Sequence, residues 1–585
     1  MKRACSVVFI MLFLSCVYAQ NAPMKLSITG TAGVSYEGYW LSLNPLTPSF
    51  YTARRPSNLV RFIFQPTITY GDFKLPFNFN FSPMLNNYGS PPSGFGNIPG
   101  FPKQTFLQWI SNPMNNFGVN PSYKWAEVQL GTQYLKYSDL STGDIGIFGY
   151  GFSLSPGKFR IKYFQGVSQQ AYQPFVSSNP LETFAGAYKR TITMVQIGME
   201  KEGKYFAGFN IVKGVDDSSS VQNPLTGTPV TPTPQENFIV TFAARFNTEK
   251  GWYGQTEFGT TISTHDVTLV PGNPLLKSFE PYITTNLSSF RDHAVQVGFG
   301  KKGKDWDLGL SAKWLGAGYY SMGYPFTQND RLEYTINTRF YAWEKKINVV
   351  ASIGQRFGNF STISNRTTQI IAKANVFAQF NEHFSVNANY NNFGFQTPGF
   401  LGIKNVGNDL TVNPTYTWSS TKMSNLLSLN YSWSKFDETD YGNNTLSNNN
   451  SHTALLMYVP SFFNKPRFSM DVSAMYFTNS TMPGNIKLSI TTFSASAGQN
   501  FTKQKVNIKG QLQYNITTMK PSTASKNLTL TLLADWNMTK RLTWNTSITL
   551  NMFKYGDELT PPVSLLGAQY TESMFKTALL YRFGK

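Results

Sequence analysis

Residue types that support catalysis or metal binding are sparse in this chain of 585 residues. Four histidines are present, and they are scattered with no ligand spacing between any two of them. No nucleophile-elbow, phosphate-loop or dinucleotide-binding motif precedes a predicted helix. The sequence therefore predicts no enzyme activity, no metal site and no cofactor. The four histidines are His265, His293, His383 and His452.

Basic side chains form the pattern with the clearest chemical consequence. Lys158, Arg160 and Lys162 occupy alternate positions just after a Pro-Gly pair, so we expect them on one face of a β-strand. Charges of one sign grouped in this way attract counter-ions, and inside a water-filled passage they favour anions. Similar positions in other predicted strands complete the basic set that we expect to line a lumen. The set is Arg61, Lys74, Lys158, Arg160, Lys162, Arg339, Lys505 and Lys509.

These basic residues can line a lumen only if the strands that carry them have one face toward water and one apolar face. In the stretches Asn58 to Tyr70 and Phe73 to Ser82, aromatic residues alternate with polar ones, which predicts a hairpin. Many predicted strands run to about ten residues or more, whereas soluble sheets commonly use about five or six. Large aromatics on the apolar face favour a transmembrane barrel over a soluble sandwich. The residues that we expect to face lipid are Phe62, Phe64, Phe77, Phe79, Leu530, Trp536, Trp544 and Leu550.

The last predicted strand, Met574 to Lys585, alternates a mainly apolar, aromatic-ended row with a partly charged one. Taken alone, such a segment is also typical of an ordinary amphipathic edge strand. Its final residues, YRFGK at 581–585, resemble the C-terminal strand of porin-like Gram-negative outer-membrane β-barrels, especially those of Bacteroidota. The resemblance implies location in the cell outer membrane, contact with its lipids, and assembly by the barrel assembly machinery through this strand.

The N-terminus has the pattern of a secretory signal peptide. Lys2 and Arg3 precede an apolar run that ends in a small-residue cleavage site. We therefore divide the chain into a signal peptide at 1–19 and an outer-membrane β-barrel with long external loops at 20–585. Lipid attachment at Cys16 is the alternative, although the residues before it match a lipobox poorly.

The charge balance of the exported chain is strongly basic. Loss of Lys2 and Arg3 with the signal peptide lowers the formal net charge from +19 to +17. In a soluble protein this balance would suggest nucleic acid, but for an exported chain it indicates anionic lipid headgroups or anionic solutes. We therefore expect no nucleic-acid partner.

Short turns alternate with longer connections, as they do in outer-membrane barrels. The sequence predicts an all-β fold, a single large antiparallel transmembrane barrel of about 26 strands, in a range of about 22 to 26. That count needs two weakly patterned strands, Gln104 to Ser111 and Leu410 to Trp418, and Pro414 weakens the second. We expect no N-terminal plug domain. Two stretches rich in Pro, Gly and Asn, Pro83 to Lys103 and Asn112 to Tyr123, are instead candidates to fold inward and narrow the lumen, the alternative being surface loops.

Two function classes stay open. The first is a channel with a basic lumen that passes solutes across the outer membrane with a preference for anions. The second is a scaffold that binds a partner protein, lipoprotein or glycan in its lumen or at its rim, within a secretion, assembly or uptake system. The strand count favours the scaffold, because simple diffusion porins close with about 16 to 18 strands. The basic residues and the missing plug favour the channel.

Overall fold

The computed structural model describes most of the chain, and every structural statement below concerns the described residues. They are 25–44, 55–83, 105–112, 115–143, 145–175, 184–222, 232–325, 327–362, 366–396, 403–440, 445–463, 467–482, 484, 486–519, 524–556 and 569–584. The predicted signal peptide at 1–19 lies outside these ranges.

Nearly all described elements are strands. They are β1 (Leu26–Leu43), β2 (Asn58–Tyr70), β3 (Phe73–Phe81), β4 (Asn116–Val119), β5 (Ser122–Tyr123), β6 (Ala126–Tyr134), β7 (Gly146–Leu154), β8 (Phe159–Gln169), β9 (Lys189–Lys201), β10 (Tyr205–Asp217), β11 (Glu236–Asn247), β12 (Trp252–Thr264), β13 (Ser289–Lys302), β14 (Trp306–Leu315), β15 (Arg331–Ala342), β16 (Ile347–Gly358), β17 (Thr367–Gln379), β18 (Phe384–Gln396), β19 (Ile403–Ser419), β20 (Met423–Asp440), β21 (Thr445–Phe462), β22 (Arg467–Met482), β23 (Ile486–Phe501), β24 (Val506–Met519), β25 (Ser525–Asn537), β26 (Leu542–Lys554) and β27 (Gln569–Phe583). The described helical elements are α1 (Phe106–Ile110) and two 3₁₀ turns, Ser218–Ser220 and Pro274–Phe279.

The strands form one closed antiparallel wall. Every strand except β4 pairs with the next along the chain, and β27 returns to pair with β1, so that Gly30 lies opposite Phe583. The short strands β4 and β5 both lie between β3 and β6, so together they occupy the position of one strand in the wall. The wall is therefore a closed barrel of 26 strands, which confirms the predicted fold class. Closure pairs the backbone groups that an open sheet would leave at its edges.

The two weak strand predictions have opposite outcomes. Leu410 to Trp418 is confirmed within β19, and the wall accommodates Pro414 because the β19–β20 ladder skips it and resumes at Thr415. The strand predicted over Gln104 to Ser111 is wrong, because that stretch contains α1. The side chain of Thr105 accepts a hydrogen bond from the backbone N–H of Gln108, and the Gln108 side chain accepts one from Thr105, which is a capping box.

The predicted constriction is also corrected. Residues 116–119 and 122–123 of the stretch Asn112 to Tyr123 are the wall strands β4 and β5, so this part does not fold into the lumen. Of Pro83 to Lys103, residues 84–103 lie outside the described ranges.

Directly paired residues on neighbouring strands share a face of the wall, so the faces can be followed around the barrel. One face is rich in aromatics. On it Phe62 pairs with Phe81 and Phe64 with Phe79, and their ring centroids lie 5.5 and 6.1 Å apart. Among the described residues no helix is long and apolar enough to span a membrane.

Candidate functional site

Two chain segments leave the wall and meet each other. The first inner segment, residues 135–143, follows β6, and the second, residues 316–325, follows β14. Tyr319 Oη donates a hydrogen bond of 3.1 Å to the carbonyl of Leu140, and Ser321 Oγ donates one of 2.6 Å to the carbonyl of Ser141. Burial raises the pKa of the Tyr319 phenol, which keeps its proton available for this bond.

The meeting of these segments identifies the inner face of the barrel. β6 and β14 are eight strands apart along the wall, an arc of about 40 Å at about 4.8 Å per strand. Segments this short join across the inside of a closed wall, where the chord is shorter than the arc. The face that they contact is therefore the lumen side, and the aromatic-rich face is the outer side.

The inner segments pack against the lumen side of β7–β14 and bury it. Phe164, Ile192 and Val212 are 0% exposed on this face, although it belongs to the lumen of a wide barrel. Burial of each large apolar side chain contributes about 1.5–3 kcal/mol. The first cluster consists of Tyr137, Ile147, Phe164, Ile192, Met194, Val212, Ile239 and Met322. The second consists of Leu140, Ala294, Leu315 and Tyr319.

Two glycines of the wall make room for the second inner segment. A Cβ at Gly259 would lie 2.6 Å from Tyr319 Oη, and a Cβ at Gly214 would lie 2.6 Å from Met322 Sδ. At each position a Cβ would force the side chain of Tyr319 or of Met322 to move. The wall and the segment therefore fit each other closely at these positions.

Polar side chains of the wall hold the backbone of both segments. The Glu257 carboxylate accepts hydrogen bonds from the backbone N–H groups of Asp139 (3.0 Å) and Leu140 (3.3 Å). Asn237 uses its whole amide, because Nδ2 donates to the Tyr320 carbonyl at 3.2 Å and Oδ1 accepts from Met322 N at 3.0 Å. These bonds satisfy backbone groups that would otherwise be buried without partners.

Three basic side chains lie together on the inner face of β8–β11. Arg160 Nε lies 3.1 Å from Glu200 Oε2, and Arg245 Nη2 lies 2.6 Å from the other oxygen of the same carboxylate. Lys162 Nζ lies 5.6 Å from the centre of the Tyr137 ring, directly beneath the first inner segment. One carboxylate thus pairs with two guanidinium groups, and Lys162 lies within electrostatic reach of Glu200 and Glu127.

The other predicted basic residues are spread around the barrel. Arg61 Nη1 donates to Asn80 Oδ1 at 3.4 Å, and Lys509 forms a 3.1 Å ion pair with Asp471. Lys74 and Arg339 lie on the inner face with exposed side chains. Lys158 and Lys505 precede β8 and β24 and belong to the turns before those strands.

The lumen side of β17–β26 differs in chemistry. It is lined mainly by amides and hydroxyls that bond to one another across neighbouring strands, as Asn413 does to Ser428 at 3.1 Å. Ser473 and Ser494 are joined at 2.6 Å, and Thr529 donates to a side chain of β26 at 3.1 Å. This surface is hydrogen-bonded within the wall and neutral over most of its area.

The residues predicted to face lipid all lie on the outer side of the wall. Leu530 pairs with Leu550 and Trp536 with Trp544. Side-chain exposure is 40% for Phe62, Phe64 and Leu530, 39% for Trp536 and 37% for Trp544, whereas Phe77, Phe79 and Leu550 are half-buried against their neighbours. In the described part of the chain no three His, Cys, Asp or Glu side chains group as metal ligands do.

The inward apolar residues were not predicted from the sequence. Their signal is a loss of alternation, because β9 carries Ile192 and Met194 on its inner face while Ile197 and Met199 lie on its outer one. A strand that is apolar on both faces in a barrel of otherwise alternating strands indicates a wall covered from inside.

No family model and no curated protein matches the sequence. Among solved structures, the chain is similar to the translocation pore of the P pilus usher PapC, with 8% identity over 94% of this chain and 99% of that one and a TM-score of 0.41. It is also similar to the copper transporter OprC, with 8% identity over 97% and 81% of the two chains and a TM-score of 0.38. For OccAB4 of Acinetobacter baumannii the identity is 11% over 65% and 97%, with a TM-score of 0.29. The fold is assigned from the closed wall and the apolar outer face of this chain, and not from these similarities.

The fold is an outer-membrane β-barrel. Since only helices and closed barrels satisfy every backbone group within a bilayer, a closed wall with an aromatic outer face belongs in the outer membrane.

Proposed function

We propose that this protein is an outer-membrane channel whose passage is the part of the lumen that the two inner segments leave open. A closed wall of 26 strands would be about 50 Å across if its section were circular. The inner segments cover the lumen side of β7–β14, and the polar lumen side of β17–β26 faces the remaining space. This unequal filling of one lumen is the observation that carries the proposal.

The proposed selectivity is a preference for anions. It rests on Arg160, Lys162 and Arg245, which lie on one part of the inner face beneath the first inner segment with Glu200 as their nearest carboxylate. A positive field acts on passing ions over about 10 Å at 0.1 M salt, so it is effective where the inner segments narrow the passage. The predicted contacts of the outer face with acyl chains, and of the last strand with the barrel assembly machinery, belong to the same proposal.

Conductance in planar bilayers tests the channel. At low salt the purified barrel should conduct with a reversal potential that indicates anion preference. The triple variant Arg160→Gln, Lys162→Gln, Arg245→Gln should reduce that preference, and raising the salt should reduce it further. The matched control removes three charges from periplasmic turns, Lys250→Gln, Lys304→Gln and Lys345→Gln, and should leave the reversal potential nearly unchanged.

Two results would overturn the proposal. A barrel that stays closed in bilayers does not serve as a channel, and equal reversal potentials for the triple variant and the unmodified protein would remove the proposed selectivity. In the first case the scaffold becomes the better interpretation. A stoichiometric partner protein, lipoprotein or glycan recovered from gently solubilised membranes would then support it.

A further inference from the structure

The connection between β12 and β13 folds back over the outer side of the wall. We call this segment, residues 265–288, the outer shelf. Its side chains Leu276 and Ile283 are 5% and 2% exposed and pack against Ile262 of β12. Ile262 pairs with Phe238 on the aromatic-rich face, so the shelf covers the outside of the barrel and not its lumen.

An ion pair on the outer face fastens the shelf. Lys213 Nζ lies 3.0 Å from Glu236 Oε1 and also donates to the carbonyl of Tyr282 at 2.8 Å. The second oxygen of Glu236 accepts from the backbone N–H of Thr284 at 2.9 Å. An uncovered ion pair is unfavourable against hydrocarbon, and here the shelf provides both its cover and its additional hydrogen bonds.

The shelf reaches the depth of the outer leaflet. β10 begins at Tyr205 on the side of the short turns, and a strand crosses the hydrocarbon in about 9–11 residues, which places the outer boundary near residue 215. Lys213 lies within that limit and pairs with Phe238, on which the shelf rests. The shelf is thus level with the outer end of the hydrocarbon.

The free surface of the shelf carries large apolar side chains, and Lys277 and Glu280 are also exposed on it. Leu275 and Leu287 are each 90% exposed, and Val270 is 84% exposed. The aromatic row Phe209, Phe242 and Phe258 continues the same apolar surface down the wall, with 56%, 38% and 48% exposure. Because the apolar surface of the shelf is continuous with the outer face of the barrel, we expect lipid to cover the shelf.

We propose that the outer shelf lies in the outer leaflet, where Val270, Leu275 and Leu287 contact lipid acyl chains and fix the depth of the barrel on this side. The inference is independent of conduction, because it concerns the outside of the wall alone. It predicts a stretch of loop in lipid at a position where outer-membrane barrels usually project loops into water.

Spin-label accessibility tests the proposal on the full chain reconstituted in vesicles. Cys5 and Cys16 are replaced by serine, so that each variant has one thiol. The test sites are Leu275→Cys and Leu287→Cys, each with a nitroxide label. The control in lipid is Leu530→Cys on the outer wall, and the control in water is Leu446→Cys, which is 73% exposed at the outer end of β21.

Collision rates with oxygen, which concentrates in lipid, and with a water-soluble nickel chelate give the result. The proposal expects labels on Leu275 and Leu287 to match Leu530, with at least a fivefold higher oxygen-to-nickel ratio than Leu446. A ratio equal to that of Leu446 would place the shelf in water and overturn the proposal. Labels protected from both reagents would also overturn it, because they would indicate a protein contact.

Discussion

The barrel has two arcs with the same outer face and opposite inner faces. In the filled arc, β7–β14 with both inner segments, the lumen side holds buried apolar side chains such as Phe164 and Ile192. In the open arc, β17–β26, it holds amides and hydroxyls such as Asn413 and Ser494. Alternation of apolar and polar residues is thus sufficient to build a wall, whereas the composition of the inner face decides whether the lumen beside it is occupied.

The largest expected difference between the arcs concerns two inward phenylalanines. Phe164 in the filled arc is 0% exposed, and Phe377 in the open arc is 37% exposed. Phe164→Ala should lower the free energy of unfolding by about 3–5 kcal/mol, as truncation of a buried phenylalanine does. Phe377→Ala should cost about 1–2 kcal/mol, since its side chain is already partly exposed.

Urea unfolding of the barrel in lipid vesicles, followed by tryptophan fluorescence, measures both values. Similar losses for the two variants would show that the inner face of the filled arc is not a packed core.

Charged substitutions should sharpen the contrast between the two faces of the open arc. Leu530→Arg and Leu550→Arg on the outer side should each cost about 2–4 kcal/mol near the midplane of the bilayer. Thr529→Arg and Thr549→Arg point into the open lumen and should cost clearly less. The same unfolding experiment measures the four variants, and equal costs on both faces would contradict the assignment of inside and outside.

A substitution at the inward-facing Gly259 should have a smaller effect on stability but a direct effect on the lumen. Gly259→Val should displace Tyr319 and the second inner segment, at a cost of about 1–3 kcal/mol for overpacking, and should increase single-channel conductance. Gly498→Val in the open arc is the matched control, because a Cβ there meets its nearest atom at an ordinary 3.5 Å. Equal conductance of the two variants would mean that the second inner segment does not obstruct the passage.

Much of the wall could be predicted from the sequence, because strand alternation and turn spacing are local patterns. Leu528 to Trp536 shows this well, since its outer row is apolar throughout and its inner row is polar except at Leu533. The incorrect strand prediction at α1 also concerns a local pattern. Thr105 and Gln108 have the Thr-x-x-Gln spacing of a capping box, and that signal was available in the sequence.

The filling of the lumen could not be predicted in the same way. Leu140 and Tyr319 are far apart in the sequence, and their contact depends on how the closed wall brings two loops together. Residues 135–143 contain Ser, Thr, Asp and Gly, which are typical of an exposed turn. The basic residues were found by alternation, but the pairing of Arg160 with Glu200 depends on the register of β8 and β9.

Thiol reactivity from the aqueous side of the lumen tests most directly whether one arc is filled and the other open. In a background without Cys5 and Cys16, Ile192→Cys and Thr529→Cys place one thiol on the inner face of each arc. A charged, membrane-impermeant thiol reagent should modify the thiol at Thr529 at a rate close to that of an exposed site, and the thiol at Ile192 at least tenfold more slowly. Equal rates at the two positions would contradict the account.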